Sequence, residues 1–140
     1  MIMRIIKFVL LILAMFIMTD RTFADEVQLP STSAPSIVQP QNINFEDCSK
    51  MFNITKEKLF YLTLSAITAN KFGVEEIQTE NGYIIFSAAN NKYLATIAGI
   101  DGSNSILKIT PCNNIYFFQP GILINMFKYI DINLNTDIKQ

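Results

Sequence analysis

Near residue 73 the spacing of apolar side chains switches from about 3.6 to 2, and no other feature of the chain limits its possible folds as much. Before the switch, the run TKEKLFYLTLSAITANKF places Leu59, Leu62, Ala66 and Ile67 on one helical stripe, widened by Phe60 and Leu64. Thr55 stands at the N-cap, Ile54 and Leu59 at staple positions, and Glu57 in the first turn, where the helix dipole favours an anion. The helix is expected to end between Asn70 and Gly73, the glycine relieving the left-handed closing turn.

After the switch, residues 74–80 and 83–88 flank Asn81-Gly82, the strongest short signal for a two-residue type I′ hairpin. That turn sets Ile77 opposite Phe86 and Thr79 opposite Ile84, leaving Glu76, Gln78 and Ser87 on the other face. Asn90-Asn91 marks a second tight turn into residues 92–100. A three-residue loop through Asp101-Gly102-Ser103 then aligns Ile97 with Leu107 and Ala95 with Ile109. Residues 115–118 offer a short fifth strand. A second helix is expected over residues 120–131, with Pro120 at its first position and Ile122, Met126, Tyr129 and Ile130 on one stripe. The expected fold is a two-layer α+β domain: helix, four- to five-stranded antiparallel meander, helix.

The flanks of this domain read differently. Residues 1–24 open with Arg4 and Lys7, continue through eleven apolar residues at 8–18 and reach Thr22-Phe23-Ala24, the pattern of a secretory signal peptide cut before Asp25. Eleven apolar residues reach about 16 Å as a helix, against a hydrocarbon core of about 30 Å. A cleaved leader is therefore expected ahead of an uncleaved membrane tether. Residues 25–44, with Pro30, Pro35 and Pro40 among Ser, Thr and Gln, are expected to be a flexible linker. The domain proper is expected at 45–131, and residues 132–140 as a fraying tail.

Composition narrows the chemistry. The 140 residues hold 11 Lys+Arg against 12 Asp+Glu and no histidine, so no cationic excess is available for nucleic acid. Cutting before Asp25 removes Arg4, Lys7, Arg21 and Asp20, leaving 8 lysines against 11 carboxylates and no arginine. Bidentate phosphate recognition and Ser-His-Asp or Cys-His triads lose their usual residues. Catalytic residues, cofactors and metals are accordingly expected to be none.

Cys48 and Cys112 are the only cysteines; in an oxidising compartment they are expected to pair. Glu75 and Glu76 are adjacent, so on a regular strand they point to opposite faces and cannot form an acid–base pair; with Glu80 they read as a charged edge strand. The series Asp131, Asn133, Asn135, Asp137 resembles half a calcium loop, but Thr136 replaces the turn glycine and no closing glutamate follows. Asn53-Ile54-Thr55 fits a glycosylation acceptor, though Thr55 already has a capping role. A catalytic role for Lys58, Lys92 or Lys108 requires a buried, depressed pKa.

Tyr83, Ile85 and Leu94 fall on the sheet face away from the helices, among polar Gln78, Ser87 and Thr96, as a candidate binding face. The expected function is a small exported module, periplasmic or secreted, that engages a protein partner or a second copy of itself. It contacts the membrane only during export or if the leader is kept. The alternatives are a small extracytoplasmic hydrolase or thiol enzyme, and a protein held by an uncleaved N-terminal anchor.

Overall fold

The computed structural model describes residues 36–136. Strand β1 (Gln41–Asn42) leads through a 3-10 turn (Glu46–Cys48) to β2 (Ser49–Phe52) and helix α1 (Lys56–Ala69). Four strands follow, β3 (Gly73–Gln78), β4 (Tyr83–Ala88), β5 (Asn91–Gly99) and β6 (Ser105–Pro111), then β7 (Phe117–Phe118) and helix α2 (Gly121–Asn133). The main sheet is antiparallel with order β2-β6-β5-β4-β3, and β1 pairs with β7 in a separate two-stranded sheet. This is the α+β, helix–sheet–helix architecture expected from the pattern.

The fifth strand of the main sheet is β2 and not residues 115–118. Strand β2 docks on β6 at one edge, α1 crosses one face, and the meander β3 to β6 returns from the opposite edge. Its alternation is hidden in the sequence because Met51 points away from the core while Lys50, on the core side, forms an ion pair with Asp131 of α2. Residues 117 and 118 pair instead with Asn42 and Gln41.

Thr55 caps α1 as expected, its Oγ1 accepting from the Lys58 N–H at 3.3 Å. Leu59, Leu62, Ala66 and Ile67 are buried, joined by Phe60 and Thr63. The helix closes on Lys71, with φ 59°, and not on glycine. The Phe72 N–H donates to the Ile67 carbonyl and the Lys71 N–H to that of Thr68, the two bonds of a Schellman motif. Gly73 instead opens β3, where a Cβ would stand 2.5 Å from Ser87 Oγ.

One sheet face carries Phe52, Ile84, Phe86, Tyr93, Ala95, Ile97, Leu107 and Ile109, all buried, together with α1 and the Ile122, Leu123, Met126, Ile130 stripe of α2. An aromatic series runs through this core, with Phe72–Phe86, Phe86–Tyr93 and Tyr93–Phe118 centroids 5.8, 5.5 and 5.3 Å apart. Pairing of Ile97 with Leu107 and of Ala95 with Ile109 matches the expected register. Between β5 and β6 the Ile100 N–H reaches the Asn104 carbonyl, closing a loop over residues 101–103.

The boundaries shift at both ends. Residues 36–44, expected within the flexible linker, are tied to the domain: the Gly121 N–H donates to the Ile37 carbonyl, the Ile43 N–H to that of Tyr116, and β1 pairs with β7. Gly121 permits this, since a Cβ there would lie 2.7 Å from the Ile37 oxygen. Pro120 precedes the first helical residue, and α2 continues to Asn133, taking in residues expected to fray. The expected leader, the first part of the linker and residues 137–140 lie outside the described residues. Among the described residues, no helix is long and apolar enough to cross a membrane.

Candidate functional site

Both helices lie on one face of the main sheet, so the other face carries no second layer among the described residues. Cross-strand pairing orders its side chains in rows. One row reads Glu76, Ile85, Leu94, Thr110 and the next Gln78, Tyr83, Thr96, Lys108, Ser49. Ile106 and Met51 continue the apolar surface toward β2, Met51 being 58% exposed. The expected face of Tyr83, Ile85 and Leu94 is thus one continuous patch, with Ile85 and Leu94 directly opposed. All three are half-buried, as residues in the middle of an uncovered sheet are.

Charge is distributed unevenly around this patch. At the β3 flank Glu76 accepts from the Tyr83 hydroxyl at 2.7 Å, and this bond pushes the Tyr83 phenol pKa up. At the β6 flank the Lys108 ammonium sits 3.7 Å over the Phe45 ring, which meets Tyr116 edge-on. Lys92, on β5, is ion-paired with Glu75; that partnership raises its pKa, opposite to what a nucleophilic lysine needs.

The position of Glu75 corrects one expectation. A bulge lies between Val74 and Glu76, so Val74 pairs with Phe86 and Ile77 with Ile84. With one extra residue in the strand, both glutamates reach partners on the uncovered face, Lys92 and Tyr83, whereas a regular strand would separate them. A sequence signal for this existed: the apolar residues Val74 and Ile77 are three apart, a spacing regular alternation does not allow.

No protein-family model matches the chain, and no curated protein matches its sequence.

Cys48 and Cys112 are both free thiols. Cys48 is buried on the helix side and its Sγ–H points at the Asn44 carbonyl, 3.7 Å away. Cys112 is exposed, and its N–H donates to the Lys92 carbonyl. Cys48 closes the 3-10 turn and Cys112 follows the end of β6. Burial pushes both thiol pKa values up, so neither is an activated thiolate.

The remaining motifs are occupied by structural roles. Asp131 binds Lys50, and Asn133 donates to the Tyr129 carbonyl; Asp137 lies outside the described residues. Asp101 accepts from Asn104 Nδ2 and from the Ser103 and Asn104 N–H groups, which holds its carboxyl down to about 2. Asn53 is exposed in the short link between β2 and α1. Among the described residues no three His, Cys, Asp or Glu side chains gather as a metal site.

Proposed function

We propose that this protein is a small binding module whose uncovered sheet face, centred on Tyr83, Ile85 and Leu94, engages a protein partner or a second copy of the chain. The observation that carries the reading is the patch itself: aliphatic and aromatic side chains at the centre of a sheet with charged groups only at its flanks, the composition of an interface core and rim. Glu75, Glu76 and Lys92 are already held by partners, which favours recognition over catalysis. In this reading the module is exported by residues 1–24 and released into the periplasm or medium.

A photo-crosslinking residue at position 94, expressed in the producing cell, tests the binding face. A discrete adduct is expected at 94 and not at 128 on the helix layer, and Ile85→Lys should abolish it; identical patterns at the two positions would overturn the reading. Intact mass of the released protein tests export: a chain beginning at Asp25 is expected, and one retaining Met1 in the membrane fraction overturns it.

A further inference from the structure

The uncovered face is complementary to itself, and from this we infer that its occupant is a second copy of the chain, stacked face to face about a twofold axis running along the strands. This rests on the binding-face reading above and names its partner. Such an axis lays β4 of one copy over β5 of the other and β3 over β6. Ile85 and Leu94 are level with each other within one chain. Each Ile85 therefore meets Leu94 of the second copy, twice over by symmetry.

The flanks match by charge as well. Glu76 stands on β3 in the row of Thr110, beside Lys108 on β6, three strand spacings or about 14 Å away. The stacked arrangement brings the Glu76 carboxylate of each copy over the β6 stretch that carries Lys108 in the other, which Phe45 holds at that flank. Two unlike pairs form, one at each side of an apolar centre. Edge-to-edge association through β3 would instead set Glu75 and Glu76 of one copy beside their equivalents, a like-charge contact that protects such edges. The net charge, -1 for the whole chain and -3 for the chain cut before Asp25 with its 8 lysines and 11 carboxylates, leaves only modest overall repulsion between copies.

The face measures about 19 Å across five strands and about 20 Å along them, and the stacked copies overlap only over β3 to β6, so the contact is smaller than the roughly 800 Å² per partner of a standard interface. The dimer is accordingly a weak one, with a dissociation constant in the micromolar range or above.

Sedimentation equilibrium on the full chain over about 1 µM to 1 mM tests this. A concentration-dependent dimer is expected. Glu76→Lys or Lys108→Glu alone should weaken it about tenfold or more, and an equimolar mixture of the two variants should recover the original strength, because each mixed dimer regains two unlike pairs. Association through the β3 edge responds to Glu76→Lys but not to Lys108→Glu, and association through the N-terminal segment to neither, so only the stacked face weakens with either reversal and recovers in the mixture. A chain monomeric throughout, a dimer indifferent to both reversals, or a mixture no stronger than either variant overturns the inference. The crosslink at position 94 decides the binding face separately, so a monomeric chain with a position-specific adduct overturns the second copy as occupant and leaves the face standing.

Discussion

The β3–β4 and β4–β5 connections carry unequal sequence signals and respond in the reverse order. Asn81-Gly82 is the stronger signal, yet the chain there makes a four-residue turn, with Gln78 paired to Tyr83 and the Gly82 N–H donating to the Gln78 and Thr79 carbonyls. Asn81 does not adopt a positive φ. At the second connection Ala89 and Asn90 both do, at 47° and 62°, between the paired residues Ala88 and Asn91. The two-residue turn of primed type therefore sits one position before Asn90-Asn91, with an alanine in a conformation alanine disfavours.

The difference shows burial overruling local preference. Gly82 is used for close approach: its carbonyl accepts from the Ile97 N–H at 2.7 Å, and a Cβ on it would stand 2.5 Å from the Ile97 oxygen. The longer turn moves the β3 pairing by two residues, which keeps Ile77 on the core side, since only an odd shift exchanges faces. At the second turn, moving the loop to Asn90-Asn91 would slide β5 by two residues against β4, keeping its faces but setting Ala95 in place of Tyr93 opposite Phe86 and separating the stacked Phe86–Tyr93 rings. Keeping that aromatic stack, worth about 0.5–1.5 kcal/mol, offsets about 1 kcal/mol of strain at one alanine.

Three substitutions break or sharpen this contrast. Gly82→Ala should destabilise the domain by about 2–3 kcal/mol, from the left-handed φ and the clash with β5, whereas Asn81→Ala should change it by less than about 0.5 kcal/mol. Urea denaturation of both variants checks this; equal effects would mean that the turn signal and not the close approach governs this end. Ala89→Gly should stabilise by about 0.5–1 kcal/mol, visible as a higher urea midpoint at unchanged slope.

The smallest effect belongs to the third connection, where Asp101 is held down to about 2. A carboxyl with a lowered folded-state pKa adds stability that is present above its unfolded value near 4 and lost as pH falls through about 2. Asp101→Asn should therefore narrow the difference in urea midpoint between pH 6 and pH 2.5, with little change in fold. An unaltered acid dependence would show that the loop's hydrogen bonds do not contribute.

Legibility followed the same logic. The α1 stripe, the β5–β6 register and the Tyr83, Ile85, Leu94 face could be read because apolar periodicity and core burial agree there. The β2 edge strand and the docking of residues 36–44 could not, and the bulge at Glu75 showed only in the three-residue spacing of Val74 and Ile77. Each depends on a contact distant in sequence: Lys92 for Glu75, Asp131 for Lys50 and Gly121 for Ile37. Lys108 over Phe45 escaped for the same reason.

Because β2 precedes α1 but pairs with β6, its order of formation is constrained. The β3–β6 meander needs only neighbours and can nucleate locally, whereas Ser49 must wait for Lys108. During vectorial synthesis β2 emerges ahead of the whole meander and pairs only once β6 is made, so Met51 and Phe52 are open to wrong partners for longer than the residues of any other strand of the main sheet.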